Sequence, residues 1–197
     1  MAKKILILGA AGQIAGFAID LFLERTDFQL TLYLRNAKRL EKLKSDRVKV
    51  MEGDVLDLAR LKEAMAGQDL VYANLAGKLE PQANNIVEAM HSAGVKRIVF
   101  ISSMGIYDEI PGERHGSVLE PYIKSAAVIE ASDLDYTILR PAWLNDRDEI
   151  AYGTTQKGEP FKNPKGVVSR MSVADLVVKL CQSDNLEIRK SLGIHKA

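Results

Sequence analysis

The sequence predicts an α/β protein with a doubly wound parallel sheet. Short apolar runs alternate with helical patterns at intervals of about 20 to 35 residues, the repeat that strand–helix units give. The runs are brief and partly β-branched, as strands covered on both faces are. The first run leads through glycines straight into a helix, in KKILILGAAGQIAG at residues 3–16. This alternation implies right-handed crossovers between parallel neighbours.

The first strand is read at residues 4–8, where Ile5, Leu6, Ile7 and Leu8 end at Gly9. Glycine tolerates positive φ, so Gly9 allows the tight turn. Gly12 and Gly16 follow, with Ala15 where a close-packing glycine often stands, and a helix is predicted over 14–25. Further strands are expected at 29–34, 48–52, 69–73, 97–102 and 136–140, separated by helices at 37–44, 57–66, 82–92 and 122–132. Residues 146–165 are rich in Gly, Pro, Lys and Asp, which suits a small hairpin or a mobile lid. Ser172 is placed to cap a final helix over 173–182, with Asp175 in its first turn. The tail from Asp184 has room for one more short strand with a frayed end. The whole is read as a single domain over 1–197, with a small C-terminal appendage on the substrate side.

Composition narrows the partners. With 47% hydrophobic and 27% charged residues, the 197-residue chain can build a full core and a soluble surface. A net charge of +1 gives no reason to expect nucleic acid or an anionic membrane. Gln13 and Asp20 interrupt the N-terminal apolar stretch, which fits neither a secretory signal nor a membrane span. Cys181 is the single cysteine, so an internal disulfide is excluded and a reducing cytoplasm is expected. It shares a helical stripe with Val173, Leu176, Val177 and Leu180, the pattern of a core residue. His91, His115 and His195 are scattered without metal-ligand spacing, so no metal is expected. A monomer or weak homodimer acting on a small molecule is the expected state.

The candidate chemistry gathers at the carboxyl ends of the strands, where ligands bind in such sheets. The helix that follows Gly9 and Gly12 offers unpaired N–H groups and a partial positive charge, which suit a diphosphate. The second strand ends in Arg35 and Asn36, with Lys38 and Arg39 behind. An arginine at this place matches the 2′-phosphate of NADP where an acid would match the hydroxyl of NAD. Asp54 can accept from an adenine amino group while Val55 packs on the ring, or Asp54 can cap the next helix. Asn74, Leu75, Ala76 and Gly77 form a small-residue turn that lets backbone lie beside a ribose. Ser102 and Ser103 can hydrogen-bond a substrate carbonyl or the nicotinamide ribose, and no G-x-S-x-G elbow marks either as a nucleophile. Tyr122 can donate a proton and Lys124 can lower its pKa. Two residues apart on a helix, however, they point to different sides. Trp143, Tyr152 and Phe161 are either an acceptor wall or cover for the core.

Taken together, GAAGQIAG, Arg35, GDV at 53–55, NLAG, ISSMGIY and SDLDYTILRPAWL resemble the atypical short-chain dehydrogenase/reductases. Among these they are most like the NmrA-like NAD(P)H-binding proteins with their biliverdin/flavin reductase-like branch. The resemblance covers about residues 3 to 180. It implies a Rossmann fold that holds NADP through Gly9, Ala11, Gly12, Gln13, Ile14, Arg35, Asp54, Val55, Ala76 and Gly77. It implies that Pro141, Ala142 and Trp143 line the nicotinamide side, and that Ser103 is the serine of the family's serine–tyrosine–lysine set. Lys124 matches a basic position that often follows. The family's Tyr-x-x-x-Lys positions fall instead on Ser117 and Pro121. The expected activity is therefore NADPH-dependent hydride transfer, with Ser103, Tyr122 and Lys124 as catalytic candidates. The acceptor would be a flavin, a quinone or a carbonyl compound. The alternative is an NADP sensor without turnover.

Overall fold

The structure, a computed structural model, describes residues 2–112 and 116–197. Its main sheet has eight strands: β1 (Lys4–Leu8), β2 (Gln29–Leu34), β3 (Val48–Glu52), β4 (Leu70–Ala73), β5 (Arg97–Ile101), β6 (Asp135–Pro141), β8 (Tyr152–Gln156) and β10 (Lys190–Lys196). Their order is β3-β2-β1-β4-β5-β6-β10-β8, parallel throughout except where β8 runs antiparallel to β10. β7 (Trp143–Asn145) and β9 (Val167–Ser169) pair in a small separate parallel sheet. The helices are α1 (Gln13–Arg25), α2 (Leu58–Met65), α3 (Leu79–Ala93), α4 (Glu120–Ala131) and α5 (Arg170–Gln182).

Strand alternation divides the core in two. Ile5 and Ile7 of β1 pack on one face with the apolar stripes of α1 and α5. Leu6 and Leu8 pack on the other with α2, α3 and α4. Successive side chains on a strand point to opposite faces, so one apolar run serves both layers. The chain reverses its winding between β1 and β4, and the carboxyl ends of those strands open toward solvent there.

Four expectations change. Residues 37–44 do not form an α-helix but two 3₁₀ turns, Ala37–Arg39 and Glu41–Leu43. Only Ala37, Leu40 and Leu43 there reach the core, too little burial to hold a longer helix. The final helix starts three residues earlier than read, because Ser169 and not Ser172 is its cap, accepting from the Ser172 amide at 3.0 Å. Asp175 thus lies beyond the first turn and is buried. The tail is not frayed: β10 is a seven-residue strand between β6 and β8. Its Gly193 leaves room for the Phe161 ring, which would stand 2.5 Å from a Cβ. Residues 146–165 supply β8, the edge strand that covers β10.

Asp175 ties three elements together. Its carboxylate takes Arg25 Nη1 of α1 at 2.8 Å, the Tyr152 hydroxyl of β8 at 2.9 Å and Lys179 Nζ at 2.7 Å. Burial pushes its pKa up, but the hydrogen bonds from Lys179, Tyr152 and Arg25 outweigh burial and hold it below the usual carboxylate range. A depressed folded-state pKa gives stability that is present above the unfolded value and lost as pH falls through the folded one. Asp175→Asn should therefore cost roughly 1–3 kcal/mol at neutral pH in urea unfolding. The gap to the parent chain should close as pH drops below about 4. A gap independent of pH would contradict the ion pairing.

Candidate functional site

β1 ends at Leu8, and Gly9 turns the chain with φ +75°. The amides of Gly9 and Ala10 donate to the Tyr33 carbonyl at 3.1 and 3.3 Å, and Gly12 N donates to Gly9 O at 2.9 Å. Gly12 is the N-cap of α1 and offers no side-chain acceptor to the first turn. The helix therefore starts with main-chain donors that no side chain satisfies. The glycines are demanded by Asn74 behind them. A Cβ on Gly9 would lie 2.1 Å from Asn74 O, and one on Gly12 would lie 2.3 Å from Asn74 Nδ2. Gly16 faces open space, so its lack of a side chain serves no contact.

In front of this turn lies a cleft of about 410 Å³ at the carboxyl ends of β1–β4. Of the sequence candidates, Gly9, Ala11, Gly12, Arg35, Asn36, Asp54, Val55, Leu75 and Ala76 line it, and so does Arg39. Gln13 and Ile14 begin α1 beside it, with Ile14 buried. Gly77 follows Ala76 with φ +89° and is not in the lining. Arg35 and Arg39 are exposed, and among the described residues neither makes an ion pair. Glu52 accepts from the Ala37 amide at 2.9 Å and shapes the turn that carries them. Asp54 accepts from Leu56 N at 2.9 Å, whereas Asp57 accepts from Arg60 N and caps α2. The capping alternative for Asp54 thus passes to Asp57.

Tyr33 and Gln82 also line the cleft and were not foreseen. Tyr33 donates to Asp54 O at 3.0 Å, and its ring fills the space a Cβ on Gly53 would need. Burial, then the negative charge of Asp57, pushes its hydroxyl up to about 12, so it stays a neutral donor. In sequence it looks like any other apolar residue of β2. Gln82 sits in the first turns of α3, and nothing in its local pattern distinguishes it.

A second cavity of about 260 Å³ lies along the same edge, beyond β5 and β6. The structure brings Ser103, Pro141, Ala142 and Trp143 together there, with Met104, Gly105, Asp108, Ile110, Gly116, Val118 and Leu119. Its walls are mostly apolar, and Trp143 is 65% exposed at the rim. Ser103 Oγ donates to Met104 O at 3.1 Å. Ser102 Oγ is buried without a partner among the described residues. Tyr122 packs against the α2–α4 core, and Lys124 pairs with Glu120 at 2.8 Å on the outer surface of α4. Neither lines either cavity. Hydrogen bonding to Glu120, then its charge and that of Glu80, raises the Lys124 pKa. Of the three aromatics, Trp143 alone reaches the cavity. Tyr152 binds Asp175, and Phe161 is in the core.

A family model described as NAD(P)H-binding matches residues 9–184, which include the glycine turn and both cavities. The chain belongs to this NAD(P)H-binding family. It is 42% identical to a Rossmann-fold NAD(P)-binding family protein from Shigella flexneri, with a TM-score of 0.88 over 100% of this chain and 94% of that one. It is 28% identical to a short-chain dehydrogenase/reductase from Veillonella parvula in complex with NADP, with a TM-score of 0.89 over 100% and 95% of the two chains. It is 26% identical over 146 residues to quinone oxidoreductase 2 of Escherichia coli, a match that covers 72% of this chain and 49% of the relative. The family is thus oxidoreductase-like and binds a nicotinamide dinucleotide through a Rossmann fold.

Among the described residues no group of three or more His, Cys, Asp or Glu side chains is placed to hold a metal ion, and His115 lies outside them. Cys181 is buried, and burial pushes its thiol up to about 12, far from a reactive thiolate. No helix of the described residues is long and apolar enough to cross a membrane.

The glycine turn gives a direct test. Gly9→Ala should destabilise the chain by about 1–3 kcal/mol, because its Cβ would meet the Asn74 carbonyl and its φ is left-handed. Gly12→Ala, whose closest contact would be the Asn74 side-chain amide, should cost less in the same thermal melts. Gly16→Ala, on an open helix surface, should stabilise by about 0.5–1 kcal/mol. A Gly9→Ala variant as stable as the parent would contradict the packing account.

Proposed function

We propose that the chain is an NADPH-dependent oxidoreductase that passes hydride to a small planar acceptor, a flavin, a quinone or a carbonyl compound. The observation that carries this reading is the pairing of two cavities on one sheet edge. Among the described residues, one has helix amides without a side-chain cap and arginines without an acid partner; the other is apolar with a hydroxyl in its wall. The residues of the first fit a dinucleotide. The α1 amides around Gln13 and Ile14 would take the diphosphate, and Arg35 with Asn36 and Arg39 the 2′-phosphate. Asp54 would accept from the adenine amino group while Val55 covers the ring. Backbone at Leu75–Gly77 would lie beside a ribose.

When bound, the reduced nicotinamide supplies the hydride. Pro141, Ala142 and Trp143 would form the wall that faces it and keep water from that side. Ser102 and Ser103 would hydrogen-bond the nicotinamide ribose or the acceptor oxygen. Tyr122 and Lys124 do not line the cavity, so the proton that completes reduction would come from water. Flavins and quinones accept it in that way, which favours them over simple carbonyls.

A second reading is an NADP-sensing regulator of the NmrA type without turnover. Ser117 and Pro121 at the family's tyrosine and lysine positions support it. Mixing the protein with NADPH and a panel of flavins, quinones and aldehydes, and following nicotinamide absorbance, separates the two. Oxidation with at least one acceptor is expected; tight binding without oxidation by any of them would favour the sensor. For cofactor choice, Arg35→Ala should weaken NADPH binding by about 1.5–3 kcal/mol in calorimetry and leave NADH binding nearly unchanged. Equal loss for both dinucleotides would refute the role given to Arg35.

A further inference from the structure

A buried ion pair stands behind the second cavity, and none of the contacts assigned above uses it. Arg140 of β6 is fully buried, and the Glu109 carboxylate that it meets is 4% exposed. Two charges withdrawn from water are poor stabilisers, since apolar residues of the same volume often serve as well. Their hydrogen bonds point to a different task. Glu109 accepts from the amides of Gly105 at 3.0 Å and Tyr107 at 2.8 Å. These amides belong to the loop after β5, which takes left-handed backbone at Gly105, φ +86°, and at Asp108, φ +54°. Such a loop needs an external anchor to keep one shape.

Arg140 is the fixed end of that anchor. Its Nε donates to Ser191 Oγ at 3.1 Å, and Nη2 donates to the carbonyls of Ser191 at 3.3 Å and Thr155 at 3.4 Å. The rings of Tyr107 and Phe161 lie 5.1 and 5.9 Å from its guanidinium carbon. The cation is thereby tied to β8 and β10, and the carboxylate extends that rigid point to the loop. On its other side the same loop presents Ser103, Met104, Gly105 and Ile110 to the cavity.

We propose that Glu109 and Arg140 are positioning residues that anchor the 103–110 loop to the sheet and so set the shape of the cavity and the place of Ser103 within it. Their effect on turnover rests on the reading that this cavity takes the hydride acceptor. Their effect on the loop does not. Removing Glu109 alone would leave a bare buried cation, so the informative variant is Glu109→Leu/Arg140→Met, which removes both charges at similar volume.

Five quantities are compared between this variant and the parent chain: melting temperature, NADPH affinity by calorimetry, amide exchange at Gly105 and Tyr107, and kcat and KM for a naphthoquinone. The variant should melt below the parent, because the Gly105 and Tyr107 amides and the Ser191 and Thr155 acceptors lose their partners. It should bind NADPH within about twofold, because the dinucleotide cleft lies elsewhere. Amide exchange at Gly105 and Tyr107 should quicken by about tenfold or more, because their acceptor is gone. With NADPH saturating, kcat should fall about 10–100-fold, the usual effect of a loosened site. Exchange and kcat both unchanged in a stable double variant would overturn the proposal. If the double variant does not fold, Glu109→Gln, which keeps one acceptor oxygen, should show the same changes to a smaller degree, and none would overturn it. Absence of naphthoquinone turnover in the parent chain would count against the oxidoreductase reading instead, and amide exchange would still decide the anchoring.

Discussion

The contact on which the rest depends is that of Asn74 with the turn at Gly9 and Gly12. Asn74 stands at the end of β4, beside β1, where the winding of the sheet reverses. Its carbonyl and its side-chain amide occupy the space that side chains at Gly9 and Gly12 would fill. The turn can approach this closely only because both positions lack a Cβ, and Gly9 adopts a backbone conformation that glycine enters at no steric cost. A glycine at the N-cap has no side-chain oxygen to offer, so the cap leaves the first-turn donors of α1 unsatisfied. One packing constraint thus accompanies both the sharp strand-to-helix turn and a helix start without a side-chain cap.

The two edges of the sheet are treated in opposite ways. At the amino edge, cationic side chains collect carbonyls at the ends of helices and around the starts of strands. Arg47 donates to the carbonyls of Phe22, Leu23, Thr26 and Phe28 at the end of α1. Arg97 reaches the carbonyls of Asp135, Leu180 and Leu186. Lys3 reaches those of Cys181 and Gln182, at the end of α5. Cations there complement the negative ends of the helix dipoles. At the carboxyl edge, among the described residues, α1 has no side-chain cap, Ser102 Oγ is unpartnered, and Arg35 and Arg39 have no acid partner. At the amino edge the chain's own cations meet the helix-end carbonyls, and at the carboxyl edge several polar groups have no partner among the described residues.

Much of this was legible in the residues. The first five strands fall where their apolar runs place them, because buried parallel strands carry a dense local signal. The glycine turn and the Pro141–Trp143 segment were also visible, since each depends on a short contiguous motif. What sequence read only in outline, or did not read, depends on distant partners. β10 has a glycine, a histidine and two lysines in seven residues. It becomes a strand because β6 and β8 flank it and Phe161 fills the space over Gly193. Ser169 and Ser172 stand three residues apart, each a sound cap by type, and only the packing around Glu149 O and Ala151 N selects the first. Arg140 reads as one letter of an apolar strand, and its ion pair becomes visible only when Glu109 arrives from elsewhere in the chain.

The central claim is that main-chain amides at the start of α1 hold the diphosphate of a nicotinamide dinucleotide. A titration of the ¹⁵N-labelled protein with NADP, followed residue by residue, tests it most directly. The amides of Gly12, Gln13, Ile14 and Ala15 should shift together and saturate at one dissociation constant, with Arg35 and Asp54 following the same curve. Shifts that leave Gly12–Ala15 unmoved while other residues respond would place the ligand elsewhere and contradict the account.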